Sequence, residues 1–362
     1  MQIIADRRAL HRIPELAWEL PKTMEYLKNS LAGLSCSVFE PVPGALCAFF
    51  DFGAKEAIAF RADCDALPVR EINDLPYRSI HEGNMHACGH DGHMAIALEL
   101  ARRLSARDTL SHNVLLIFQP AEETPGGAKI ICDTGVLAKH RVKAVFGLHL
   151  WPNLEKGKLF CRENEQMSHA SEVIVDIYGK TAHIARPDKA VDALSAAAAF
   201  YTKVRALEAA VPAGYYKLLN FGKFHSGTAI NAISDHTHME GSLRAFQDEI
   251  FDGLKAGIFE AGKEVEKSTG CRVEIHLSEG YPAVMNPPEL YRKVREYMDF
   301  ETLEEPCMTS EDFSWYQRFV PGLFFFLGLG DTPALHTHNF CFDEDILVKG
   351  ADFFEKLAVN YR

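Results

Sequence analysis

An α/β fold interrupted by a smaller α+β unit is the architecture the sequence predicts, and three observations carry it. Short continuous apolar runs alternate with amphipathic stretches through the N-terminal half. From about Ser171 to Glu279 the pattern changes to a strict alternation of apolar and polar residues, and beyond that segment the α/β character returns. Continuous runs suit strands buried on both faces, whereas alternation suits strands with one face covered.

Taken in order, Ala57–Phe60, Val114–Phe118 and Ala144–Leu148 are apolar runs that end in polar, Gly- or Pro-bearing loops, as buried strands do. Between the first two, Met94, Ala97, Leu98, Ala101 and Leu104 fall on one helical face, with Asp91 placed to cap that helix. In the middle segment Val173, Val175 and Ile177 alternate with polar neighbours, as do Thr237, Met239, Gly241 and Leu243, and then Val273, Ile275 and Leu277. Helix-like stretches run over Lys189–Leu207 and Gln247–Lys267, and Tyr216–Phe224 reads as a further strand. The resulting β-α-β-β-α-β order is ferredoxin-like. The tail supplies a strand at Leu323–Gly328 and a closing helix at Asp345–Leu357. The expected organisation is a discontinuous α/β domain over 1–168 and 281–362, with an inserted domain over 169–280.

A chain of 362 residues, 47% of them hydrophobic, is large enough for two cores. A net charge of −12 argues against nucleic acid or an anionic membrane surface as the main partner. The N-terminus has no signal-peptide h-region, and no apolar run approaches the roughly 18–20 residues that span a bilayer. Nine cysteines, an odd number scattered without CxxC pairs, do not make a disulfide framework, so a reducing cytoplasm is expected.

The chemistry is concentrated in two loops. The first is His86-Ala87-Cys88-Gly89-His90-Asp91-Gly92-His93, and the second is Gln119-Pro120-Ala121-Glu122-Glu123. Thiolate, imidazole and carboxylate hold a borderline transition metal, and a second, adjacent carboxylate is what a metal hydrolase needs for proton transfer. Open α/β sheets bind ligands beyond the carboxyl ends of their strands, where Arg61–Pro68, Glu122-Glu123 and His149 all fall. Leu335-His336-Thr337-His338 can close around the same point. Two ions about 3.5–4 Å apart need roughly this many anionic and imidazole groups, one of them bridging. His149 alone would read as a core histidine and Cys88 alone as a buried thiol; their company favours ligation. His86 and His93 read as supporting residues. A thiol nucleophile, with Cys88 attacking and His90 as base, leaves Glu122, Glu123 and His149 without a task. A non-catalytic metal-binding protein would not need Glu122 beside a liganded Glu123.

These motifs resemble the dinuclear metal amidohydrolases that cleave N-acyl amino acids. Those include aminoacylase- and hippurate-hydrolase-like enzymes, indole-acetyl-amino-acid hydrolases and N-acetyldiaminopimelate deacetylases. The resemblance runs through Leu10–Leu16, the RADxDALP of Arg61–Pro68, HACGHDxH at His86–His93, QPAEE at Gln119–Glu123 and GLH at Gly147–His149. It continues through GKxxH at Gly179–His183, Gly241–Arg244, Ser310–Phe313 and Leu335-His336. It implies a catalytic α/β domain with an inserted ferredoxin-like lid of the kind that dimerises. It also implies two divalent ions (Mn, Zn, Co or Ni) held by Cys88, His90, Glu123, His149 and His336, with Cys88 bridging. Glu122 would be the general base and His183 the lid histidine that reaches substrate, in its own or a partner subunit. Asn231 and Arg244 would recognise the substrate, Arg244 from the polar face of its strand toward an α-carboxylate. Asp63 and Asp65 would orient ligands, and His336 is preferred over His338. The implied substrate is a small N-acyl amino acid. Pro125–Lys129 resembles the diaminopimelate branch, which would place the reaction in lysine biosynthesis. The alternatives within reach are a dipeptidase or carboxypeptidase on the same centre, or a metal-dependent binding protein. Val173-Ile174-Val175 could form an edge strand for pairing lids in a homodimer, or be covered within one subunit.

Overall fold

A computed structural model describes all residues, Met1–Arg362, in two compact units. The first comprises 1–166, 285–306 and 312–362; the second comprises 167–284 and the short return 307–311. No helix is long and apolar enough to cross a membrane. All nine cysteines are free.

The first unit is built on an eight-stranded sheet. At its centre, strand Ala57–Asp63 lies parallel to both Asn113–Gln119 and Val142–Trp151, and Gly322–Gly328 lies parallel to the last of these. Every residue of Ala57–Asp63, Asn113–Gln119 and Gly322–Gly328 is buried, which is why these segments read as continuous apolar runs. On one face the helices Gln2–His11, His90–Ser105 and Ile346–Asn360 meet one another. Their core with the sheet contains Phe60, Phe146, Phe325 and Phe354. Each such side chain contributes about 1.5–3 kcal/mol on leaving water.

Helix His90–Ser105 starts four residues before the apolar periodicity does. Gly89, at φ 88°, makes the left-handed turn into it. Asp91 therefore lies inside the first turn and is not the cap expected from sequence. Its carboxylate turns inward to Arg7 Nε at 2.9 Å and His11 Nδ1 at 2.7 Å. Those two contacts share Oδ2, while Oδ1 accepts the adjacent Gly92 amide at 2.9 Å.

The second unit has the β-α-β-β-α-β order. Its four antiparallel strands run Arg272–Leu277, His169–Tyr178, His236–Ala245, Lys217–Ser226 across the sheet. Helices Ala193–Ala210 and Asp248–Thr269 share a core with Val173, Val175, Ile177, Met239 and Leu243. The first of them begins at Ala193, later than Lys189. Pro187–Lys189 forms a separate 3-10 turn, and Asp192 caps the helix through the amides of Leu194 and Ser195. Of the two readings of Val173–Val175, coverage within the subunit holds: Val175 faces Met239 on one side and Ile275 on the other, so His169–Tyr178 is internal. Alternation reports one covered face and is silent on how many neighbours a strand has. The sheet edges are Lys217–Ser226 and Arg272–Leu277, and any pairing of lids through a sheet edge would have to use one of them.

The glycine of the GKxxH motif has a packing reason. A Cβ on Gly179 would sit 2.1 Å from the carbonyl oxygen of Val191, and Lys180 exchanges both backbone hydrogen bonds with Val191. Gly179→Ala is expected to cost about 1–3 kcal/mol by forcing these backbones apart. A lowered urea midpoint measures this.

Candidate metal centre

The parallel strands deliver the chemistry to their carboxyl ends. Ala57–Asp63 leads into Cys64-Asp65, Asn113–Gln119 leads into Pro120–Glu123, and His149 lies near the end of Val142–Trp151. The helix carrying His90 approaches the last strand closely, because a Cβ on Gly92 would meet Leu150 Cδ1 at 2.6 Å. That approach brings Cys88 Sγ to 3.4 Å from His149 Nε2. The loop at Leu335–His338 is pinned by the His336 amide on the Ala87 carbonyl, and it sets His336 Nε2 at 3.3 Å from the same sulfur.

Two donor sets result: Cys88, His90 and His149 form one, and Cys88, Glu123 and His336 form the other. They share Cys88. A third set, His90, Glu122 and Glu123, places Glu122 beside both without the sulfur. Asp63, His90 and His93 also converge, but there Asp63 and His93 are already engaged. Asp63 Oδ1 takes His93 Nδ1 at 2.5 Å and Oδ2 takes Arg61 Nη1 at 2.6 Å. His93 Nε2 accepts the Leu150 amide at 2.9 Å. His93 and Asp63 are therefore orienting groups.

Ring tautomers follow from the bonds the other nitrogens make. His90 Nδ1 donates to the Asp65 carbonyl at 2.8 Å and His149 Nδ1 to the Leu150 carbonyl at 2.8 Å. A carbonyl only accepts, so both rings present Nε2 to the centre. His90 Nε2 and Glu123 Oε1 are buried and no hydrogen bond ends on either, although His336 Nε2 lies 3.3 Å from that oxygen. Buried polar atoms without partners are costly. A cation liganded by these atoms removes that cost, so the residues present fit a metal.

Asp65 holds the carboxylate pair in place. Its two oxygens accept the amides of Glu122 at 2.9 Å and Glu123 at 3.1 Å. Glu122 is buried, 7% exposed. His336 stands at the open rim, its side chain 52% exposed and its backbone at φ 63°. His338 belongs to none of the donor sets, and its carbonyl accepts the Ile72 amide. His86 is buried with neither ring nitrogen bonded, and burial pushes its pKa down to about 3.

Without metal the cluster holds protons. Burial, followed by the charges of Glu123 and Glu122, pushes the Cys88 thiol well up. Burial opposes charge on His90, but Asp63, Asp65 and Glu123 outweigh it and hold that imidazole up at about 10. Burial, with His93 nearby, keeps His149 neutral. Burial also opposes charge on Glu123, yet its contacts with His336 and His90 keep it ionised below the usual range.

The other candidates lie in the second unit. His183 is exposed, its backbone bridged to Ala232, and the Asn231 carbonyl accepts the Ile184 amide at 2.9 Å. The His183 Nδ1 accepts the Ala185 amide at 3.2 Å, which leaves the proton on Nε2. Arg244 is half-buried on the polar face of its strand and donates to Ser242 Oγ and the Met308 carbonyl.

Sequence reasoning assigned no role to two buried networks. Arg7 and His11 reach Asp91, the residue after His90, and His11 also meets Glu71 at 3.2 Å. The signal was present: Asp6, Arg7, Leu10 and His11 share the buried face of helix Gln2–His11. The second network centres on Asp312, which was visible only as part of a motif.

Residues 59–360 match the peptidase family M20/M25/M40. The chain is 33% identical to an uncharacterized hydrolase of Staphylococcus haemolyticus over 374 residues, covering 99% of this chain and 98% of that one. A crystal structure described as an aminohydrolase from methicillin resistant Staphylococcus aureus is 30% identical with a TM-score of 0.91, over 99% of this chain and 96% of that one. The Bacillus subtilis YXEP protein, a dinuclear metal binding peptidase from the M20 family, is 29% identical with a TM-score of 0.84, over 99% and 97% of the two chains. Likeness along the whole length, over a fold whose strand ends gather two donor sets around one sulfur, shows that this chain is a hydrolase belonging to peptidase family M20/M25/M40.

Proposed function

We propose that this chain hydrolyses the amide bond of N-acyl, above all N-acetyl, amino acids, releasing a carboxylic acid and a free amino acid. The observation that carries the reading is the pair of donor sets sharing Cys88, with a further buried carboxylate, Glu122, alongside. Cys88, His90 and His149 would hold one divalent ion, and Cys88, Glu123 and His336 the other. A thiolate, imidazole and carboxylate set accepts Mn²⁺, Zn²⁺, Co²⁺ or Ni²⁺. Bound there, the ions would supply Lewis acidity, polarising the amide carbonyl and lowering the pKa of a water toward neutrality.

The protein's own groups do the rest. Glu122 takes a proton from the attacking water and passes it to the amide nitrogen as the C–N bond breaks. Asp65 keeps Glu122 at its station through the backbone, so the carboxylate need not reorganise. His183, of this or a partner subunit, would donate from Nε2 to the developing oxyanion, a contribution of about 3–4 kcal/mol. Arg244 and Asn231 receive the substrate's α-carboxylate and neighbouring polar groups. The Pro125–Lys129 segment makes N-acetyldiaminopimelate the first substrate to try.

Amine release from a panel of N-acyl amino acids, by protein reloaded with Mn²⁺ or Zn²⁺ and with an EDTA control, tests the reading. Metal-dependent release supports it. Cleavage of free-amino dipeptides alone turns it toward a dipeptidase, and binding without release toward a binding protein. Glu122→Gln should keep both ions while turnover falls about 10²–10⁴-fold; a metal-loaded variant with near-wild-type turnover removes Glu122 from the role.

Metal uptake should also be pH-dependent in a defined direction. Near neutral pH, Cys88 and His90 both carry protons in the metal-free protein, and both must lose them to ligate. Filling the Cys88, His90 and His149 set is expected to release about two protons, so affinity rises with pH. Calorimetry in buffers of differing ionisation enthalpy counts them.

A further inference from the structure

Asp312 is wholly buried and belongs to neither sulfur-sharing set, although a carboxylate oxygen of it lies within 4.8 Å of one of Glu122. Its carboxylate is instead crowded with donors. Oδ1 accepts from Arg61 Nη2 and from Gln119 Nε2, each at 2.8 Å. Oδ2 accepts from Gln119 Nε2 at 2.7 Å and from the amides of Gly127 and Ala128 at 2.9 Å each. Gln119 precedes the loop that carries Glu122 and Glu123, and Gly127-Ala128 follows it. One carboxylate therefore ties the two ends of that loop together.

The loop is drawn tight around this point. The Gly126 amide bonds the Ala121 carbonyl at 2.9 Å, and a Cβ on Gly127 would lie 2.0 Å from the Pro120 carbonyl oxygen. Tyr316 supports the same corner by donating to Gln119 Oε1 at 3.0 Å. The other donors are held by different means. His149 is part of a central strand, His90 leans on the Asp65 carbonyl, and Cys88 is set by the Gly89 turn. None of these three holds contacts Asp312 directly; its one link toward them is Arg61, which also binds Asp63 at 2.6 Å.

We infer that Asp312 is a positioning residue for the Glu122-Glu123 loop, on which the ion at Cys88, Glu123 and His336 depends and the ion at Cys88, His90 and His149 does not. This rests on the dinuclear reading proposed above. The physical basis is that a charged acceptor fixes several donors at once, including main-chain amides that no side-chain change elsewhere can replace. An asparagine there would offer one oxygen where four donor groups converge, and would turn its own N–H₂ toward the rest.

The test is a Co²⁺ titration of metal-stripped full-length protein, followed by calorimetry and by the visible spectrum of the bound ion, for wild type and Asp312→Asn. Wild type is expected to take two ions. Asp312→Asn should bind the first with wild-type affinity and the second about 10–100-fold more weakly. Gly127→Ala displaces the same loop without altering a charge, and should show the same one-sided loss even where the buried asparagine prevents folding. Two ions at wild-type affinity in a folded variant, or equal weakening of both, overturns the inference while leaving the dinuclear reading intact. A wild-type protein that takes only one ion overturns both.

Discussion

The candidate metal centre depends on one residue's two kinds of hydrogen bond. Asp65 holds the Glu122-Glu123 backbone with its carboxylate and the His90 ring with its carbonyl. Those groups come from separate segments of the chain, and this link fixes one against the other. With it, the His90 Nε2, the Glu123 carboxylate and the Cys88 sulfur face one small volume. Asp65 is itself positioned by the end of strand Ala57–Asp63, whose ladders run on both sides. The chemistry thus inherits its precision from the rigid centre of the sheet.

Burial sets the electrostatics. Stripped of metal, the cluster carries protons that ligation must expel, and it leaves a ring nitrogen and a carboxylate oxygen without partners. The surroundings prevent collapse into a purely internal salt-bridge network. Asp63 is taken by His93 and Arg61, and Asp91 by Arg7 and His11. Removing one member of a buried pair of this kind typically costs about 3–5 kcal/mol, because the other is left charged and dry. Asp63 still bears on a ligand, its Oδ2 lying 3.6 Å from His90 Nε2.

Much of this was legible beforehand, for reasons that can be named. The continuous runs at Ala57, Val114 and Ala144 mark strands because both their faces are covered. The alternation at Val173, Thr237 and Val273 marks strands covered on one face. Cys88, His90, Glu123, His149 and His336 stand out by chemistry, and they converge in space. The same reasoning placed Asp91 as a cap, which failed, and left Val173–Val175 open between an edge and a covered strand. In each case the local pattern was right and the partner was remote: Arg7 for Asp91, Arg272–Leu277 for the strand.

By itself, the sequence determined the strands and helices that its periodicity marks, and the residue types able to hold a metal. Periodicity and donor chemistry are local properties, so they can be read from neighbours. Tertiary structure alone decided that Asp65 serves both the glutamates and His90, and that Asp312 closes the loop between Gln119 and Gly127. Those facts are distances between residues far apart in the chain, and only the packing of sheet and helices sets them.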